Sequence, residues 1–234
     1  MAKSDIMRSQ VLRGVAFRAR GRMRNREVRM ALHKQEQPER GFDYERAYRE
    51  LSAKMRTLHI SRIAEMPRIE LYLDQVLSII GTELSFMYQE DERIVTGAMV
   101  NNYVKQRLVP APTRKRYTRR HLGTLIFVCA FKRVLSIAQI AQIAQMVGEA
   151  DIDVERAYDA SIACLEHALA LLFPEEPDGQ PELSTIHIEL MDSAGNRCEP
   201  RLEILLENVV LLLACKVYAD HMLALEARRV AAAE

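Results

Sequence analysis

A chain of 234 residues, 28% charged and 49% hydrophobic, has room for one good core plus accessory elements. Its longest apolar runs, Leu125–Phe131 and Val209–Cys215, are about seven residues and far short of a membrane span. The net charge of +1 hides a segregation: residues 1–34 hold ten Lys/Arg against two acids and residues 96–120 hold seven against none, which leaves the remainder at −14.

Residues 1–40 read as a basic flexible arm. It either lies along a nucleic-acid backbone or is a solvated tail, and translation starting later, at Met23, Met30 or Met55, is a third reading. A polar break around Pro38 follows. Residues 41–66 form a connecting segment in which Phe42, Ala47, Leu51, Met55, Leu58 and Ile63 predict a helix over Phe42–Ile63. Residues 67–148 form the next domain. Pro67 opens a helix there with Ile69, Leu73, Val76, Leu77 and Ile80 on one stripe, and Gly81 interrupts or ends it.

After a connection over Thr82–Ile94, Thr96 is placed to cap a helix. At 3.6 residues per turn its apolar side is Met99, Val100, Tyr103 and Val104, and its other side is Ala98, Asn101, Asn102 and Lys105. Pro110 and Pro112 stop that helix, and Arg114-Lys115-Arg116 sit at the tip of a tight reversal. Thr118 caps a helix to Val134 with Leu122, Leu125, Ile126 and Cys129 inward. Ser136 and Gln139 form a capping box for a further helix with Ile137, Ile140, Ile143 and Val147 on its stripe, closed by Gly148.

Residues 149–234 form an acidic helical region for dimerisation or effector binding, with fifteen acids against three basic residues from Glu149 to Glu207. It begins with a helix over Val154–Phe173 and a linker over Pro174–Pro181. Ile186, Ile188 and Leu190 then alternate with polar residues as in a half-buried strand, paired either across a dimer axis or with the residues after the Ser193–Asn196 turn. A last helix runs from Pro200 to about Arg229. Its apolar stripe (Leu202, Leu205, Leu206, Val209, Leu212, Leu213, Val217) is too wide for a two-stranded coiled coil and predicts a homodimer.

The runs TGAMVNNYVKQRLVP and KRYTRRHLGTLIFVCAFKRVLSIAQI, with PRIELYLDQV upstream, resemble the bacterial family known as domain of unknown function 1836. That family is similar to MerR-type winged helix-turn-helix domains: Leu108-Val109-Pro110 matches their Leu-Leu-Pro exit and Arg116-Tyr117 their basic wing. Asn101-Asn102-Tyr103 departs from their Arg-Tyr-Tyr. The resemblance covers about residues 66–147 and implies a fold and DNA binding. The expected fold is mainly α, a MerR-like winged helix-turn-helix domain followed by a helical C-terminal dimerisation region with at most a short strand or hairpin.

The candidate DNA-binding residues are Thr96, Asn101, Asn102, Tyr103, Lys105, Arg107, Arg114, Lys115, Arg116, Tyr117, Arg119 and Arg120. An amide pairs bidentately with adenine, and cations meet phosphate. Tyr103 reads as core ahead of base stacking, and His121 as a phosphate contact or a helix cap. Cys129, Cys164, Cys198 and Cys215 lie far apart with no CxxC, so they are expected to be buried thiols in a reducing cytoplasm, with no metal and no cofactor. No HExxH, GxSxG, P-loop or GxGxxG is present, so no enzyme is expected. Two functions stay open: a cytoplasmic, homodimeric transcriptional regulator on duplex DNA, without a membrane partner, or a non-enzymatic RNA- or nucleoid-associated protein or protein adaptor with a degenerate winged helix.

Overall fold

A computed structural model describes residues 42–88, 92–177, 179 and 181–233, and the basic arm lies outside them. The chain divides into two units, Tyr44–Glu226 and the pair Met1–Asp43 with Ala227–Glu234. Among the described residues there are seven α-helices: α1 (Tyr44–Arg56), α2 (Leu73–Glu83), α3 (Gly97–Lys105), α4 (Arg119–Phe131), α5 (Ile137–Glu149), α6 (Val154–Leu172) and α7 (Pro200–Ala231). The fold is mainly α, with only isolated β-bridges, and no described helix is long and apolar enough to cross a membrane.

In the unit Tyr44–Glu226, α4 lies at the centre. From Leu122 to Phe131 only Thr124 and Phe127 retain appreciable exposure, so the helix is apolar almost all round and is packed on every side. α1 docks on α6 through Tyr48, Ser52 and Met55. Ser52 Oγ–H is shared between the carbonyls of Phe173 and Pro174, and Tyr48 O–H donates to Pro174.

α1 ends at Arg56, not at Ile63 as the apolar spacing predicts. The reason is long-range: the following N–H groups have carboxylate acceptors that a continuing helix would not reach. Ile60 N–H donates to Glu166, Ser61 N–H and hydroxyl to Glu83, and Ile63 N–H to Asp159. Arg62 forms a two-pronged pair with Glu166, and Tyr158 O–H donates to the Ser61 carbonyl. The loop is pressed so close to α4 that a Cβ on Gly123 would stand 2.5 Å from Ile63 Cδ1. A side chain on Gly123 would make the Ile63 side chain move aside.

The expected helix start at Pro67 is also corrected. Residues 67–70 are irregular, Leu71 forms an antiparallel bridge with Tyr117, and α2 begins at Leu73, where Gln75 Oε1 accepts from Tyr72 N–H. Gly81 lies inside α2 and does not end it. α4 stops at Phe131, three residues short of the predicted end, and α5 runs one residue past Gly148.

Segment 186–190 alternates buried and exposed as its sequence predicts, but it joins no ladder. Carboxylates on α7 take two of its donors, Glu207 accepting from Ile188 N–H and Glu203 from Leu190 N–H. A short return then forms, with Cys198 N–H donating to the Leu190 carbonyl and Met191 bridging Arg197, so only the end of the segment pairs with the residues after the turn. On α7, Leu206, Leu213 and Val217 are buried while Ile204, Leu212 and Leu223 stay exposed. Cys129 and Cys164 are buried, each pushed up to about 11 by that burial. Cys215 is exposed, against expectation, because it falls on the outer side of α7.

The Glu166 acceptor is directly testable. Glu166→Ala strands the Ile60 N–H and a guanidinium whose side chain is only 22% exposed, so it should cost about 3 kcal/mol in urea denaturation. Glu166→Gln keeps one acceptor and should cost roughly half as much. A loss below about 0.5 kcal/mol for the alanine variant would mean that the loop holds itself.

Candidate nucleic-acid interface

Three pieces of chain converge around α3. Thr96 caps it, its hydroxyl accepting from Met99 N–H at 3.2 Å. Val100 and Tyr103 are buried while Ala98, Asn101, Asn102 and Lys105 are exposed, so the helix has one docked face and one free face carrying two amides and a lysine. Gly97 lies against α2, where a Cβ would stand 3.3 Å from Leu73 Cδ2. The helix ends at Lys105, and Arg107 at φ 59° turns the chain so that Leu108 N–H reaches the Tyr103 carbonyl.

The reversal after the prolines is a four-residue turn, with Arg116 N–H donating to the Thr113 carbonyl at 2.9 Å. Arg114 (φ 51°) and Lys115 (φ 63°) both occupy the left-handed region, the signature of a type I′ turn. That conformation favours Asn-Gly, and each β-carbon held there costs about 1 kcal/mol. Arg114 and Lys115 nevertheless stand at the tip, exposed. Arg116 turns back, its guanidinium 3.6 Å from the centre of the Tyr72 ring, a cation–π contact that fixes the turn against the residue before α2. Leu71 and Tyr117 exchange both backbone hydrogen bonds, at 2.8 and 2.9 Å.

Beyond the turn, His121 Nδ1 accepts from Thr118 N–H at 3.1 Å, which places its proton on Nε2 and makes it part of the cap of α4. Nε2 is buried without a well-formed hydrogen bond. Burial depresses the His121 pKa, and the Ala111 carbonyl opposes the shift. Arg119 is half-buried and Arg120 exposed. Arg119 and Thr118 line a shallow cleft of about 500 Å³ with Arg68 and Glu70.

Electrostatics sets this region apart. Among the described residues none of Arg68, Arg93, Lys105, Arg107, Arg114, Lys115, Arg116, Arg119 and Arg120 forms an ion pair. Elsewhere Arg46, Arg49, Arg56, Arg62, Arg133, Arg156, Arg197 and Lys216 each hold a carboxylate, and the described cations there that form no ion pair, Lys54, Lys132, Arg201 and Arg228, lie far apart along the chain. Clustered cations with no internal partner leave a field directed outward.

Thr96, Asn101, Asn102, Lys105, Arg107, Arg114, Lys115 and Arg120 therefore lie on exposed or partly exposed surface, with Arg116 and Arg119 at its edge. Tyr103 and Tyr117, grouped with them from the sequence, are 3% and 4% exposed and face the core. Burial pushes the Tyr103 hydroxyl up to about 12, and the two rings pack the helix and the turn onto the core. Tyr72 and Arg68 join the set only in three dimensions: their local sequence has no basic run, and the Leu71–Tyr117 pairing is what brings them alongside the turn.

Replacing Arg114 and Lys115 by Asn and Gly should raise the unfolding free energy by about 1 kcal/mol, because the new pair suits positive φ. Urea titration reads this, and a decrease would mean that the native side chains make contacts that outweigh the strain.

No curated protein matches the chain, and no solved structure does. Residues 61–161, from the clamped loop through α5 and into α6, match the family described as Domain of unknown function (DUF1836).

Proposed function

We propose that the chain is a DNA-binding transcriptional regulator of the cytoplasm that binds duplex DNA as a homodimer, with α2, α3 and the 113–116 turn acting as a MerR-like winged helix-turn-helix. The observation that carries this reading is the row of cations without internal partners flanking a neutral amide face on α3. A helix enters the major groove, and Asn101 and Asn102 are the groups on its free face able to read a base edge, an amide pairing bidentately with adenine. Lys105 and Arg107 extend from the end of that helix toward phosphate. Arg114 and Lys115 project from the turn into the adjoining backbone or minor groove, while Arg116 holds the turn on Tyr72. The exposed Ile204, Leu212 and Leu223 of α7 offer apolar surface for a second copy, and the acidic C-terminal region keeps the remainder off the duplex.

The strain at the turn supports the same reading. A pair of long cationic side chains at positive φ is less stable than Asn-Gly, and what it provides is two exposed charges at one point.

A competition titration of specific against scrambled duplex over a salt series tests this. Arg114→Ala with Lys115→Ala should weaken binding to both duplexes alike and lower the log–log salt slope by about 1.8. Asn101→Ala or Asn102→Ala should cost about 1–3 kcal/mol on the preferred site and little on scrambled DNA. Equal losses on both duplexes would reduce the asparagines to backbone contacts. An absence of duplex binding by the wild-type chain would overturn the reading and leave the adaptor function in its place.

A further inference from the structure

Two adjacent residues of α7 grip the chain on either side of the connection between α2 and α3. His221 Nε2–H donates to the Phe86 carbonyl at 2.6 Å, in the turn that follows α2. Asp220 accepts from Arg133 Nη2 at 2.7 Å, and the other end of the same guanidinium donates to Glu92 at 3.1 Å. Arg133 lies just past the end of α4, its side chain is 12% exposed, and its guanidinium stacks 4.4 Å above the Tyr88 ring. Its neighbour Lys132 donates to the Ile94 carbonyl at 2.8 Å. Two residues further on is Thr96, the cap from which α3 starts.

We infer that Arg133 is a positioning residue for α3: it joins α7 to the lead-in of the helix that faces DNA, so that the state of α7 sets duplex affinity from a distance. The inference rests on the DNA-binding reading for its consequence and on the geometry above for its existence. A planar guanidinium suits this position because it donates to two carboxylates in opposite directions and stacks on an aromatic face at once, which an ammonium does not. Because the Arg133 side chain is only 12% exposed, the loss of one carboxylate changes how firmly the other is held. α7 also carries the exposed Leu223 three residues from Asp220, and the two line one cleft with Arg133 and Glu92, so a second copy seated there would bear on Asp220.

Charge gives the test a sign. Asp220→Asn removes a negative charge, which by long-range electrostatics alone would tighten binding to a polyanion. If Asp220 acts by holding Arg133, the same change weakens binding. The expected result for full-length Asp220→Asn is about tenfold lower affinity for duplex DNA, with an unchanged salt slope because no phosphate contact is lost. Arg133→Met should give a similar loss, and the two changes together less than the sum of the two, since both break the Arg133–Asp220 pair while Arg133→Met alone also frees Glu92 and Asp220→Asn alone also frees Lys216. Thermal melts establish that each variant is folded. Equal or tighter binding by Asp220→Asn, or additive losses in the double variant, would overturn the inference. Should the wild-type chain not bind duplex, amide exchange still decides the matter. Faster exchange at Met99 and Val100 in Asp220→Asn would uphold the joint while the DNA reading fails, and unchanged exchange would sink the joint itself.

Discussion

The pair of backbone hydrogen bonds between Leu71 and Tyr117 is a small interaction on which much of the arrangement depends. It draws the irregular segment before α2 alongside the base of the 113–116 turn, and so determines which side chains can meet there. Arg116 reaches the Tyr72 ring because Tyr72 follows Leu71, and Arg68 meets Arg119 across a cleft for the same reason. Tyr117, buried on the other side of the pairing, anchors the turn to the core. A turn of four residues has little stability alone. Here its tip is exposed while its base is held by two hydrogen bonds and a cation–π contact, and cations on a fixed tip lose less entropy on meeting a ligand than cations on a free loop.

A second theme is the use of carboxylates as backbone acceptors. The two irregular segments that run along the core, 60–63 and 186–190, have few main-chain partners. Glu83, Asp159 and Glu166 serve the first, and Glu203 and Glu207 the second. Buried N–H groups need acceptors, and helices supply them here through side chains in place of a sheet. The acidity of the C-terminal half is therefore not all solvent-facing charge. Part of it is structural, as with Glu203, which is 4% exposed and paired with Arg197, its carboxyl held below the usual range by the Leu190 N–H and that guanidinium against the opposing effect of burial.

What could be read from the sequence follows this division. The helices with clean apolar stripes and local caps were legible: Thr96 for α3, Ser136 with Gln139 for α5, and the stripes of α6 and α7. Such signals lie within a few residues of what they specify. The free face of α3 was legible for the same reason. The end of α1 and the start of α2 were not, because both are decided by partners far along the chain, Glu166 for Ile60 and Tyr117 for Leu71. Pro67 is as acceptable in an irregular segment as in the first turn of a helix, so it could not discriminate. Tyr72 and Arg68 escaped notice because nothing in their own neighbourhood marks them, and only the pairing across 46 positions does.

The carboxylate clamp on residues 60–63 also bears on how the protein comes into being. Its acceptors at Asp159 and Glu166 lie about a hundred positions downstream, and the carbonyls that receive Tyr48 and Ser52 lie further still, at Phe173 and Pro174. On a ribosome, α1 and the loop after it must wait until α6 has emerged before they can settle. A fragment cut at residue 161 would retain Asp159 but leave Arg62 and the Ile60 N–H with no carboxylate at Glu166, and α1 with no seat. The span shared with the family is thus narrower than the unit that folds, and the loop that opens the matched span is settled by parts of the chain synthesised long after it.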